Sequence, residues 1–256
     1  MTRIDLNCDM GESFGAWQMG RDSEVMGSIT SANIACGFHG GDPQVMRQTV
    51  RLAKQHGVAV GVHPGLPDLV GFGRREMKVT PSELEDMMLY QIGALAAIAA
   101  VEGVRLQHVK PHGALYNMTA AEPDLADAVA RAVAAFDREL ILLGLPASAL
   151  IRAGEKAGLR TAGEAFADRA YEPNGSLASR RKAGSVIHDP ETVVTRAVRM
   201  VTEGGVVATD GSWLPLEVET ICTHGDTPGA ENLVRRLRAA LVTHGVTVAP
   251  MGGGVE

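Results

Sequence analysis

The chain reads as an α/β protein, an irregular (β/α) barrel of seven or eight parallel strands. Short apolar runs alternate with longer helical ones, the pattern of parallel sheets. A length of 256 residues suits one such barrel. Polar, chemically capable side chains recur where the strand-like runs finish, and barrels gather their sites at that end. An open doubly wound sheet ranks second. One domain is expected over residues 1–250, with "MGGGVE" at 251–256 as a flexible tail.

The strand-like runs are, in order, "RIDLNCD", "SANIACG", "VAVGVHPG", "RLQHVKPHG", "ELILLG", "LRTAGEAFAD", "GGVVATDG" and "VETICTHGD". Helical segments fall at 43–56, 81–102, 122–135, 146–157, 190–203 and 228–243. Four helix starts are marked by a capping residue followed by proline: Asp42-Pro43, Thr80-Pro81, Asp189-Pro190 and Thr227-Pro228. Each cap can accept from an orphan backbone N–H, and proline fits the first helical position. Thr80 with Glu83 reads as a capping box, and Gly103 as a helix stop. The longest irregular stretches, 64–79 and 167–188, have the length of functional loops. The alanine-rich faces at 94–100 and 126–135 read as core in preference to an interface, and self-association of the chain stays open.

Charge and composition exclude several classes. A formal net charge of −6 and no long basic stripe give a phosphate backbone little to hold, so nucleic acid is not an expected partner. No apolar stretch of membrane-spanning length runs uninterrupted, and the first residues lack the layout of a secretory signal. The expected compartment is the cytoplasm, with no membrane partner. Cys8, Cys36 and Cys222 form no CxxC pair and read as reduced packing thiols, not nucleophiles.

The polar strand ends supply the candidate site. Asn7 and Asp9 close the first run, and Glu12 follows it. His39 and Asp42 follow the second; His63 closes the third; Lys110 and His112 close the fourth; His224 and Asp226 close the last. Lys110 and His112, and likewise Asn7 and Asp9, are two residues apart and would face one side of an extended strand. Asp42 is better read as a helix cap. His56 and His244 sit late in helices, where the dipole favours them. Glu164 and Asp168 read as exposed loop acids, and Asp210 as the end of a further strand. Asp9, His39, His63 and His112 are ligand types suited to zinc. No compact HxH or HxxxH motif is present, so no metal site is assigned and the need for a metal stays open. "GFGRRE" lacks the third glycine of GxGxxG, and no GxxxxGK(S/T) occurs. Arg74, Arg75 and "SRRKAG" at 179–184 could clamp a carboxylate or phosphate or simply be solvated surface.

Taken together, "LNCDMGESFG", "ANIACGFHGGDP", "GVHPGLPDLVGFGRR", "VKPHGALYN" and "ICTHGDTP" resemble the lactam-utilisation (LamB/YcsF) family, in the family's order and over nearly the whole chain. The resemblance implies a barrel of the glycoside hydrolase and deacetylase type. It implies one subunit of an ATP-dependent 5-oxoprolinase, which with two partner subunits opens 5-oxo-L-proline to L-glutamate; ATP with Mg2+ would be the cofactor. In that chemistry the general base would be Asp9, His39 or His63. Lys110 would stabilise charge on the former amide oxygen. His112 or His224, with Asp226 nearby, would protonate the leaving nitrogen, while Arg74, Asn7 and Glu12 would hold substrate. Two rival readings are a metal-dependent deacetylase or amidase that needs no ATP, and a non-catalytic partner subunit. Metal analysis tests the first of these and reconstitution the second.

Overall fold

The computed structural model describes residues 2–224, with the backbone alone at 224, and residues 229–252. Seven parallel strands close into a barrel: β1 (Arg3–Met10), β2 (Ser31–Ala35), β3 (Ala59–His63), β4 (Leu106–Val109), β5 (Ile141–Gly144), β6 (Thr161–Phe166) and β9 (Thr220–His224), with β9 paired back onto β1. A short strand, β10 (Thr247–Val248), adds to the start of β1 outside the ring. The seven strands answer to seven of the eight expected runs. The eighth, 204–211, departs from expectation. Its strand β7 (Gly205–Val207) pairs antiparallel with β8 (Trp213–Pro215) in a separate ribbon. A turn follows at once, in which Asp210 accepts from the backbone N and the hydroxyl of Ser212. Asp210 therefore belongs to that turn and not to the barrel rim.

The helices form where the capping signals place them. Asp42 accepts from Gln44 N and Val45 N at the start of α2 (Pro43–His56). Thr80 and Glu83 make the reciprocal capping box of α3 (Pro81–Val101), and Asp189 caps α7 (Pro190–Thr202) through Thr192 N. Helix α5 (Pro123–Phe136) also opens on proline, and Ser148 caps α6 (Ala149–Lys156). Thr227-Pro228, expected to open α8 (Ala230–Thr243), lies outside the described residues. A four-residue helix, α1 (Asp22–Val25), sits in the β1–β2 connection. Helix α3 has the length and apolar composition of a membrane span. Its Leu84, Met88, Ile92, Leu95 and Ala99 nevertheless pack in the main core. The alanine-rich face of α5 does the same through Ala126, Ala128, Ala130 and Ala132.

One helix departs from the sequence pattern. Helix α4 (Gly113–Ala121) starts directly after the fourth strand, where the glycine alone suggests a turn away from the site. Gly113 has φ +55°, and a Cβ there would lie 2.6 Å from the Gly73 carbonyl oxygen. Glycine both permits the left-handed backbone and lets the helix start press against the 64–79 loop.

Strand periodicity sorts the side chains. Leu6, Ile34, Val60, Val62, Val109 and Leu142 join the hydrophobic clusters under the helices. The residues between them point inward, and on β1–β4 and β9 many of them are polar: Asp5, Asn7, Ser31, Asn33, His63, His108 and Thr220 are all buried. Barrel interiors are normally filled by branched apolar side chains. Here a hydrogen-bonded column running up the barrel takes their place. At its foot Asp5 accepts from Thr30 and Ser31 hydroxyls, both at 2.6 Å, and burial raises its pKa despite those bonds. Ile141, Leu143, Ala162 and Met251 form a small apolar plug on the β5–β6 side. Met251, assigned to the tail by sequence, is buried there, and its carbonyl accepts from Gln107 Nε2 at 2.7 Å.

Candidate active site

The upper half of the column is built around Lys110. Its ammonium donates to Asp9 Oδ1 at 2.8 Å and lies 2.9 Å from Glu164 Oε1 and 3.3 Å from Asn7 Oδ1. The side chain is only 2% exposed. Burial alone would favour the neutral amine, but Asp9, Cys222 and Glu164 outweigh it and hold the pKa well above the usual lysine value. Asn7 spends both amide hydrogens, on Glu164 Oε1 (3.0 Å) and Thr220 Oγ1 (2.7 Å). Its oxygen accepts from Asn33 Nδ2 at 2.7 Å, and Asn33 also donates to Asp9 Oδ1 at 2.8 Å. Asn33 Oδ1 accepts in turn from His108 Nε2 at 2.7 Å. Burial, the largest effect, together with the Lys110 charge, pushes His108 down to about 3, so this ring is neutral at physiological pH.

Three residues of this network are not apparent from the sequence. Glu164, expected as an exposed loop acid, is fully buried on β6 and pairs with Lys110; the correction follows from the inward phase of its strand. Asn33 and His108 lie mid-strand, away from the polar ends. Their signal is the period-two spacing Ser31-Asn33 and His108-Lys110, which continues Asp5-Asn7-Asp9.

Beside Lys110 stands a second cluster, drawn from the ends of four successive strands. Glu12 follows β1, His39 follows β2, His63 ends β3 and His112 precedes α4. His63 Nδ1 donates to the Lys110 carbonyl at 2.7 Å, and His112 Nε2 donates to the Phe72 carbonyl at 2.8 Å. A carbonyl can only accept, which settles both tautomers. His39 and His112 stack, with centroids 3.7 Å apart and planes within 3°. Burial pushes both of their pKa values well below the usual histidine range. Phe72 holds its carbonyl toward His112 from a left-handed backbone, φ +54°, a strained conformation for a bulky residue of the kind that gathers at functional sites.

Asp9 joins the clusters: Oδ1 meets Lys110, and Oδ2 lies 3.3 Å from His63 Nε2. Asp9, His63, Lys110 and His112 open onto a cavity of about 830 Å³. The two long loops also line it, with Arg74, Arg75, Arg169, Arg180 and Arg181. The Arg74 guanidinium sits 4.9 Å from the centre of the Phe72 ring, whereas Arg75 is paired with Asp68. Arg169 is spent on the 167–188 loop, donating to the Ala178 carbonyl at 2.6 Å. The residues placed at the site by sequence thus come together for Asn7, Asp9, Glu12, His39, His63, Lys110 and His112, with Arg74 also lining the cavity. The backbone of His224 pairs opposite Asp9; its side chain and Asp226 lie outside the described residues.

The sequence matches the LamB/YcsF family over residues 4–255. The chain belongs to the LamB/YcsF family. Relatives in that family named as the A subunit of 5-oxoprolinase include those of Symbiobacterium thermophilum and Tolumonas auensis. The first is 57% identical over 98% of this chain and 96% of its own length, the second 55% identical over 98% and 100%. That of Pyrococcus furiosus is 54% identical over 99% and 100%. Among solved structures, a lactam utilization protein from Thermus thermophilus superposes with a TM-score of 0.92 at 51% identity, covering 96% of this chain and 99% of that one. A deacetylase solved with substrate matches with a TM-score of 0.50 at 14% identity, covering 97% of this chain and 87% of that one, a likeness of fold alone. The barrel read from the sequence and the family resemblance are both found. The name carried by these LamB/YcsF relatives also implies that further subunits accompany them.

Proposed function

We propose that this chain is the lactam-opening subunit of a 5-oxoprolinase, converting 5-oxo-L-proline to L-glutamate in a complex with two partner subunits and with ATP hydrolysis. The observation that carries the reading is Asp9, a carboxylate held between a buried lysine and a histidine at the floor of an arginine-walled cavity, in a chain more than half identical to proteins bearing that name. A five-membered lactam is a resonance-stabilised amide and a poor electrophile. Phosphorylation of its oxygen by ATP would make it one that water can attack, and Mg2+ would accompany the nucleotide in the assembled complex.

In this reading Asp9, steered by His63, draws the proton from water. The Lys110 ammonium stabilises negative charge on the former amide oxygen or its phosphate, where a preorganised cation in a dry site is most effective. The proton that Asp9 takes from water can then be returned to the leaving nitrogen, while His112, whose N–H is held by the Phe72 carbonyl, borders the cavity beside it. Arg74, which lines the same cavity, takes the substrate carboxylate.

The test is reconstitution. Glutamate formation from 5-oxo-L-proline and ATP is followed with this chain alone, the partners alone, and all three together. Product should appear only when this chain is present. Asp9→Asn should lower turnover by about a hundredfold or more while leaving the circular dichroism spectrum and assembly unchanged. Full activity in the partners alone, or in the Asp9→Asn complex, would overturn the assignment.

A further inference from the structure

We propose that Glu12, His39, His63 and His112 form a binding site for a divalent cation of the zinc class. The proposal does not depend on the lactam reading, although His63 and His112 also border the cavity used there.

Two ring nitrogens face each other within the cluster. His63 Nε2 and His112 Nδ1 lie 3.0 Å apart. Each ring has already given its one proton to a backbone carbonyl, His63 to Lys110 and His112 to Phe72. Two lone pairs therefore face one another inside the protein. Something positive must lie between them, either an extra proton on one ring or a metal ion. A proton on His63 Nε2 would serve that pair and Asp9 Oδ2, 3.3 Å away. It would leave His39, whose two ring nitrogens are buried with no hydrogen-bond partner among the described residues, as it is. An ion serves all of them.

The spacing agrees. Donors at about 2.0–2.1 Å from a tetrahedral ion lie about 3.3 Å from one another. Here His63 to His112 is 3.0 Å, His39 Nε2 to Glu12 Oε1 is 3.5 Å and His112 Nδ1 to Glu12 Oε1 is 3.6 Å. All four donor atoms fall within 4.8 Å of one another, and His39, stacked on His112 with planes 3° apart, turns out of that stack to bring its lone pair onto the same ion. Three imidazoles and one carboxylate are a donor set of zinc type. The carbonyls of Lys110 and Phe72 orient two of the rings, as outer partners of metal-bound histidines do. Four protein donors close a tetrahedral sphere. The ion's place in the molecule is then to tie the ends of four successive strands together beside Asp9.

The full chain, purified without a histidine tag, is stripped with a chelator, dialysed against Zn(II) and measured by elemental mass spectrometry. Thermal melting is recorded before and after loading. The expected result is one zinc per chain and a higher melting temperature on loading. His39→Asn should lose on the order of a hundredfold or more in affinity, and Glu12→Gln about tenfold or more. His244→Asn, a change at a helix end remote from the site, should bind as the parent does. Circular dichroism checks the fold of each variant, and the conservative Glu12→Gln decides the matter if His39→Asn does not fold. A folded parent chain that retains no zinc and melts at the same temperature with it would overturn the proposal. So would a folded Glu12→Gln that binds zinc undiminished.

Discussion

Replacing Lys110 with methionine removes one buried cation from between two carboxylates. Asp9 Oδ1 and Glu164 Oε1 lie 2.8 Å and 2.9 Å from the ammonium, and their side chains are 12% and 0% exposed. Methionine fills the same volume, so packing changes little. The loss is electrostatic, and removing one partner of a buried ion pair costs about 3–5 kcal/mol. The variant has one escape, which is to take up a proton on one carboxyl of the stranded pair. Raising an ordinary glutamic acid from a pKa of about 4.3 to hold its proton at neutral pH costs about 1.4 kcal/mol per unit, roughly 3.7 kcal/mol in all. That ceiling puts the expected destabilisation near 3–4 kcal/mol at about pH 7. It also sets a sign. The folded variant binds a proton that its unfolded chain does not, so its stability falls as pH rises and recovers as pH drops. Between about pH 7 and 5.5 the deficit relative to the parent should shrink by about 2 kcal/mol. Urea unfolding of both proteins at the two pH values measures this. A deficit under about 0.5 kcal/mol at neutral pH would refute the claim that Lys110 neutralises the column, since that is the range of indifferent surface changes. A deficit that does not change with pH would refute the stranded-carboxyl account.

Two other perturbations test neighbouring parts of the same structure. His108 is held neutral, at about 3, so below about pH 6.5 its unfolded form takes up a proton that the folded form refuses. Its contribution is present above that value and is lost as pH falls toward 3. His108→Gln should therefore unfold in urea with a pH dependence shallower by about 1.4 kcal/mol per unit between about pH 6 and 4, and identical slopes would contradict a buried neutral ring. At Gly65 an added Cβ would lie 2.5 Å from His39 Nδ1. Gly65→Ala should cost about 1–3 kcal/mol and lower the activity of the reconstituted complex by moving His39. Unchanged melting and unchanged turnover would show that His39 is free to shift.

Much of the fold is legible because its signals are local. A capping side chain before a proline satisfies the first turn of a helix within a few residues, and Asp42, Thr80 and Asp189 do so where expected. The antiparallel ribbon at 205–215 defeats the sequence for the opposite reason. "GGVVATDG" has the composition of a strand, and nothing in it says which partner it takes; the turn through Asp210 decides that. Helix α4 is hidden by Lys110-Pro111-His112, an extended segment that passes straight into a helix because Gly113 can take φ +55° against Gly73.

The site is legible at its rim and obscure in its depth. Asp9, His39, His63 and Lys110 stand at strand ends, where polar residues interrupt apolar runs and attract notice. Glu164 sits in "TAGEAFAD", where the register that turns it inward is set by pairing with β9, opposite Thr220. One strand's sequence does not contain that register. The metal-type cluster is obscure for a related reason. Its four donors come from four strand ends, 12, 39, 63 and 112, so no short spacing announces them.

The two clusters meet in a single carboxylate, and that has a chemical consequence. Asp9 Oδ1 is bound to Lys110, whose own position is braced by Glu164 and Asn7. Asp9 Oδ2 faces His63 Nε2, whose other nitrogen is tied to the carbonyl of that same Lys110. Lysine, aspartate and histidine therefore form a closed loop of contacts. A cation at the histidines would draw His63 Nε2 toward itself and raise the positive charge beside Oδ2, making Asp9 a weaker base. Loss of positive charge at Lys110 would act in the opposite direction, on Oδ1. The basicity of the one carboxylate facing both the buried column and the cavity is thus set from two sides, by a lysine that cannot leave and by a histidine site whose charge depends on what it holds. A base poised in this way keeps its proton affinity only while both neighbours are in place. Variants at Lys110 and at the histidines should accordingly show non-additive effects on turnover, and additive effects would mean that the two clusters act independently.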